Sequence, residues 1–266
     1  SGTSTAAISA GGGIPSTPAM AFTEEWNADF AYGVWATGNN MNTGRTALAG
    51  AGTQSAALGF GGYLQPAYPT FSALTEIWNG TSWGELNDMN TGRFGLGGAG
   101  TTTAALAFGG ANVPGGPPKD ETELWNGISW TEVNDLNTAR AGLCGTGTVT
   151  SGIVASGSVP PSTAATETWD GSSWTETSDL NTARAGGAMS GDSSTSALLA
   201  DGADTKVVEQ WDGTSWTEVS ETNQERGDIF GGIGNVTSAI VAGGYSPAPI
   251  SPVTTVNVEL WNGTSW

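Results

Sequence analysis

The sequence predicts an all-β fold, a β-propeller of six four-stranded antiparallel blades, and three observations carry that prediction. A Trp-bearing segment, Trp78-Asn79-Gly80-Thr81-Ser82-Trp83, recurs at residues 125–130, 169–174, 211–216 and 261–266, with a distorted copy at 26–35. The first tryptophans of the copies, Trp26, Trp78, Trp125, Trp169, Trp211 and Trp261, lie 52, 47, 44, 42 and 50 residues apart, the period of propeller blades and other long-repeat arrays. The copies are rich in Thr, Val, Trp and Gly and carry no long 3.6-residue periodicity, which removes the helical arrays of similar period. Between the paired tryptophans sits Asn-Gly or Asp-Gly, the strongest short hairpin signal.

Each copy divides into strands A to D. In the third, strand A follows Arg93 as Phe94-Gly95-Leu96-Gly97-Gly98, and strand B is the apolar run Thr103-Ala104-Ala105-Leu106-Ala107-Phe108 before Gly109-Gly110. Strand C is Glu123-Leu124-Trp125, strand D is Trp130-Thr131-Glu132-Val133, and the linker Asn137-Thr138-Ala139-Arg140 opens the next copy. Small, glycine-rich A strands suit the crowded centre of a radial assembly. One domain is expected, with blades at approximately 1–44, 45–92, 93–139, 140–183, 184–225 and 226–266. Blade 1 starts at its second strand and blade 6 lacks most of its fourth, so the chain reads as a piece of something longer, with ring closure between the incomplete ends. Five blades is the alternative if the N-terminal copy packs elsewhere.

Composition narrows function. Gly and Pro occupy 54 of 266 positions, against an average of about 12%, yet 12 Trp, 7 Phe and 4 Tyr argue for packed rather than disordered chain. The net charge of −18 opposes docking on nucleic acid or anionic membrane. With no His and the single cysteine Cys144, a Ser-His-Asp triad, a Cys-His pair, a histidine-bearing metal site and an internal disulfide are all excluded. No apolar run of about 18 residues and no signal-peptide pattern is visible. No Asp-x-Asp-x-Asp-Gly loop is present, and Asp201, Asp204 and Asp228 stand singly in the sequence, so no metal and no cofactor are expected.

The succession Arg-x-Gly-x-Gly, an apolar strand ending in Gly-Gly, Glu-x-Trp with a turn, Trp-Thr-Glu-Val and Asn-Thr-x-Arg resembles the kelch repeat, a builder of β-propellers, over nearly the whole chain. Its wording, Glu-Leu-Trp-Asn-Gly-Thr-Ser-Trp-Thr-Glu-Val with Thr-Ala-Ala-Leu-Ala-Phe-Gly-Gly, is also similar to kelch-like repeats in virion and tail proteins of marine bacteriophages. That resemblance implies a virion component. The Trp-Asn-Gly-Thr-Ser-Trp hairpin departs in spacing from the Asp-box of sialidases, and the absence of His excludes the metal site of kelch-type copper oxidases.

Two residues before each first Trp stands a Glu: Glu24, Glu76, Glu123, Glu167, Glu209 and Glu259. Five of the seven cations are repeat arginines, Arg45, Arg93, Arg140, Arg184 and Arg226. We expect Glu and Arg to pair within or between blades, partly buried, and to fix the register of neighbouring sheets; a residue present in every blade serves the repeat. Cys144 takes the slot of Ala49, Gly97 and Ala188, a small inner-strand position.

Function is expected where the copies differ. All twelve prolines fall between strands B and C, in loops that share one face of the disc with the D–A linkers; A–B turns and C–D hairpins share the other. Proline lowers the entropy lost on binding, which suits a recognition surface. Candidate partner contacts are Tyr63, Tyr68, Phe71 and Tyr245, with Lys119 and Asp120 at the end of the third such loop. The hairpin around Phe30, Tyr32 and Trp35, on the opposite face, is a candidate subunit contact. The expected function is a non-enzymatic phage tail or fibre component, in the virion, that binds a host-surface glycan or another virion subunit, with homo-oligomerisation left open. The alternatives are a polysaccharide-degrading enzyme, which needs two carboxylates about 5 to 9 Å apart, and a kelch-type protein-interaction adaptor.

Overall fold

A computed structural model describes residues 2–3, 5–12, 19–28, 33–64, 70–113, 115–229, 232–246, 253–254 and 256–266. It is a six-bladed β-propeller without helices among these residues. Blade 3 is typical: Gly97–Gly100, Ala105–Phe108, Thr122–Trp125 and Trp130–Glu132 pair antiparallel in chain order. Blades 2, 4 and 5 repeat that order. Blade 1 is described as strands B, C and D (Ala6–Ala10, Thr23–Asn27, Val34–Gly38), and blade 6 as A, B and C (Ile233–Asn235, Ser238–Ala242, Val258–Trp261). Two further ribbons, Tyr63–Leu64 with Thr70–Phe71 and Tyr245–Ser246 with Val253–Thr254, stand in the B–C loops of blades 2 and 6.

Strand A begins at Gly97 rather than directly after Arg93, because the intervening residues do other work. Phe94 exchanges backbone hydrogen bonds with Ala111, Gly95 takes φ 59°, and Leu96 is buried. Strand B is buried on both faces, as Ala105, Leu106, Ala107 and Phe108 are all fully covered, which is why it reads as an unbroken apolar run. Strand A is small of necessity: a Cβ on Gly97 would stand 2.3 Å from the Phe108 ring. Cys144 lies in that small-residue row, buried, with its Sγ–H donating to the Gly187 carbonyl. Burial pushes its thiol pKa up.

The Trp pairs sit opposite each other across strands C and D, with ring centroids 5.3 to 5.6 Å apart in all six blades. The loop between them spans four residues. Asn126 Oδ1 accepts from the Ile128 and Ser129 N–H groups, and Gly127 takes φ 91°, where a side chain would be strained. Asp170 and Asp212 accept the same pair of N–H bonds, which hold their carboxyls below the usual aspartate range.

The second Trp of each pair ties a blade to its predecessor. The indole N–H of Trp83, Trp130, Trp174 and Trp216 donates to Thr23, Thr75, Thr122 and Thr166 at 2.9 to 3.1 Å. In blade 5 that Thr position holds Val208, and the buried Trp266 Nε1 has no partner among the described residues. Blade 1 belongs to the ring: Ala7, Trp26 and Trp35 pack with Ile233, Ile240 and Val258 of blade 6, and Ile8 packs with Trp78 and Trp83 of blade 2. Trp35, a candidate subunit contact, is half-buried and packs one side against this ring contact; Phe30 and Tyr32 lie outside the described residues.

The Arg–Glu pairs form within blades, not between them, and are fully buried rather than partly so. Arg45–Glu76 and Arg93–Glu123 meet at 2.9 Å, Arg140–Glu167 at 2.7 Å, and Arg184 also bonds Glu209. The second carboxylate oxygen accepts from the entering linker, Asn90 N and Nδ2 to Glu123 at 2.7 and 2.9 Å. Arg93 Nη1 also donates to the Gly109 and Glu121 carbonyls. Burial pulls the guanidinium pKa of Arg45 and Arg140 down, against the pull of Glu76 and Glu167. Glu24 is exposed, without a repeat Arg in its blade.

Two outcomes follow from these contacts. Arg93→Ala leaves Glu123 buried and unpaired and should cost about 3–5 kcal/mol in denaturant unfolding, while Glu123→Gln should lower Tm without altering partner binding. Val208→Thr gives Trp266 Nε1 an acceptor and should raise stability by about 1 kcal/mol in the same measurement.

Candidate functional site

The antiparallel order places the B–C loops and D–A linkers together on one face. Arg140 N bonds Lys119 O and Leu136 N bonds Asp120 O across that junction. From blade 2 to blade 6, residues just after each Arg join in an arc of backbone hydrogen bonds: Gly95 N to Ala47 O, Gly142 N to Gly95 O, Gly186 N to Gly142 O, and Ile229 N to Gly186 O, at 2.7 to 2.9 Å. Ala47, Gly95, Gly142, Gly186 and Asp228 all take positive φ there. The loops therefore rise from a floor fixed by the main chain.

On that floor Tyr63 and Phe71 are cross-strand partners in the blade 2 ribbon. Both rings meet Phe94 of the neighbouring linker: Tyr63 edge-on at 5.5 Å and Phe71 stacked at 5.3 Å. The three form one half-buried aromatic patch. Phe94 was not among the sequence candidates, although it is the one aromatic in a position filled elsewhere by Thr46, Ala141, Ala185 and Gly227. Tyr68 lies outside the described residues, as does the Tyr245 side chain; the Tyr245 backbone pairs with Thr254. Lys119 and Asp120 do not act as a pair. Lys119 bonds Glu121 at 3.0 Å, and Asp120 is exposed.

Around the patch the same face exposes Phe22, Val113, Val159 and Val256, all in or beside B–C loops. Among the described residues the hairpin face presents mainly Thr, Ser, Asn and Asp, with Ile128 and Val34 its exposed apolar side chains. Apolar exposure is thus concentrated on the face where the copies differ. Two open depressions of about 420 Å³ lie elsewhere, one lined by Glu85, Leu86, Asn87, Trp125, Gly127 and Ile128, the other by Asn90, Trp130, Thr131 and Glu132. Each holds a single carboxylate, whereas glycoside hydrolysis uses two.

Where blades 5 and 6 meet, acids that stand far apart in sequence converge. Asp201 occupies the position of Gly61 and Gly109, at φ 59°, and is fully buried. Its carboxylate accepts from the Thr222 hydroxyl and from Arg226 Nη1 at 3.3 Å. Arg226 also meets Glu259 at 2.7 Å. Burial pushes the Asp201 pKa up to about 6, with Glu259 adding to the rise. Asp228 is raised as well, by burial and by Asp204. Asp201 thus belongs to the framework rather than to the surface charge. Among the described residues no cluster of three or more His, Cys, Asp or Glu side chains could hold a metal ion.

Phe94 carries the ring contacts of the patch to blade 3, beside the backbone hydrogen bonds of Gly62 and Ser72 with Arg93. Phe94→Ala should remove two ring contacts of about 0.5–1.5 kcal/mol each and speed amide exchange at Tyr63, Leu64, Thr70 and Phe71, with little change at the blade 5 hairpin.

No protein-family model matches the chain, and no curated protein matches it. Among solved structures it is similar to the one described as "Structure of YjhT", at 14% sequence identity and a TM-score of 0.71, over 94% of this chain and 92% of that one. At that identity the likeness is one of fold, and it spans the whole ring.

Proposed function

We propose that this chain is a non-enzymatic binding and structural propeller, a component of a bacteriophage tail or fibre, whose loop face meets a host-surface glycan or another virion subunit. The observation that carries this reading is the asymmetry of the two faces. Residues that recur in every blade are consumed by the framework, while the aromatic patch and the exposed apolar side chains stand on the face of unequal, proline-bearing loops. Aromatic rings on a floor held by backbone hydrogen bonds lose little entropy on binding and stack on sugar rings or fill protein pockets. Of the 25 acids six are repeat Glu, and of the seven cations five are repeat Arg, leaving Lys119 and Lys206. That imbalance favours uncharged or cationic partners. The kelch-like phage wording of the repeat supports the virion setting.

Incubating the protein with envelope polysaccharide of candidate hosts tests the reading. Retention without release of reducing ends is expected, with at least tenfold weaker retention for the Tyr63→Ala/Phe71→Ala variant and for Tyr68→Ala/Tyr245→Ala. Release of reducing ends would make the protein a polysaccharide-degrading enzyme instead. Gold-labelled antibody against the chain should decorate the tail or fibre of intact particles.

A further inference from the structure

We infer that Asp201 makes the contact between blades 5 and 6 a proton-controlled joint, tighter when its carboxyl is protonated and looser when it is charged. Four of the five repeat arginines pair with one carboxylate each. Arg226 is the exception: Asp201, from the end of strand B in blade 5, accepts a hydrogen bond from its Nη1, and Glu259, from strand C in blade 6, stands at ion-pair distance from the same nitrogen. Arg226 and Asp201 are fully buried and Glu259 nearly so. With both acids ionised the group carries a net buried charge of −1, where blades 2 to 5 each carry a neutral pair. Protonation of Asp201 restores the one-to-one pairing.

The groups around Asp201 oppose each other. Arg226 and the Thr222 hydroxyl favour the carboxylate, while burial and Glu259 disfavour it, and the balance leaves it titrating at about 6. Glu259 is held on its other side by Asn223, whose N–H and side-chain amide donate to Oε2 at 2.6 and 2.7 Å. The same junction carries the hydrogen bonds that join the blades. Gly202 N donates to Arg226 O, and Thr205 bridges Arg226.

The sign follows from linkage. A carboxyl that titrates near 6 when folded and at 3.8 when exposed binds more protons in the closed state, so closure is favoured most below about pH 4. It weakens as pH rises to about 6 and is level above that. Each unit of difference is tenfold in the opening equilibrium, which bounds the change at about 100-fold. The joint therefore loosens toward neutral and alkaline pH, the reverse of an ordinary salt-bridged aspartate.

Amide exchange of residues 201–206 and 222–229, corrected for the intrinsic effect of pH, measures the opening at pH 4.5 and 7.5. Wild type should open about 10- to 100-fold more at the higher pH, with blade 3 amides unchanged between the two. Asp201→Gly installs the residue that blades 2 and 3 carry at this position and should remove the part of the profile centred near 6, as should Asp201→Asn if the glycine variant folds poorly. What remains is only the contribution of Asp228, raised by burial and by Asp204. Glu259→Gln removes the repulsion and should move the midpoint below 6. A wild-type profile retained in both Asp201 variants, or a midpoint unmoved in Glu259→Gln, would overturn the inference.

Discussion

A buried carboxylate organises each complete blade. Glu123 sits one residue pair away from the Trp that faces strand D, and its two oxygens do different work: one holds Arg93, the other holds the main chain and side chain of Asn90. The linker that enters the blade is thereby folded against the strand it must precede. Arginine is suited to the partner's role because its planar fork reaches Glu123 and the carbonyls of Gly109 and Glu121 together, which a point-charged lysine could not. An ion pair of this kind adds little net stability over an apolar replacement, but removal of either half leaves an uncompensated charge in the core. Its effect is to fix geometry, since only one register satisfies all the bonds.

Much of this was legible in the sequence because it repeats. A Glu two residues before every Trp and an Arg ahead of strand A mark a framework pair whatever the distance between them. Blade number came from the same counting, and Trp26 with Trp35, though separated by a longer stretch, keeps the spacing of the other Trp pairs. Features that depend on one residue were harder to see. Phe94 looks unremarkable beside Thr46 and Ala141 until the blade 2 ribbon is folded over it, and the ribbon depends on loop geometry that residue type alone does not fix. Asp201, Arg226 and Glu259 converge from three separated segments, so no local spacing announces them. The hairpin, by contrast, was legible: Asn-Gly between paired tryptophans marked the turn, and the Asn side chain supports its four-residue loop.

The repeat thus settles which surfaces have anything left to offer. In blades 2 to 5 the repeat carboxylates and guanidinium groups are directed into the sheets, and the second indole N–H of each Trp pair reaches across to the neighbouring blade. Breaks in the pattern fall at two places on the loop side, the aromatic patch over blades 2 and 3 and the acid-rich junction of blades 5 and 6. They lie in separate sectors of the ring and differ in chemistry, one apolar and partly exposed, the other charged and buried.

The C–D hairpins carry a consequence for the protein's chemical ageing. Asn-Gly is the dipeptide most prone to spontaneous loss of the side-chain amide, and Asn79, Asn126 and Asn262 each precede a glycine. The acceptor in these loops is the side-chain oxygen, bonded to the N–H groups two and three residues on. Loss of ammonia forms a cyclic imide with the glycine nitrogen, and water opens it to aspartate or, mainly, to isoaspartate; only the aspartate product gives the loop that blades 4 and 5 already hold at Asp170 and Asp212. The hairpins of blades 4 and 5, built with Asp170 and Asp212, keep the same loop with no side-chain amide to lose.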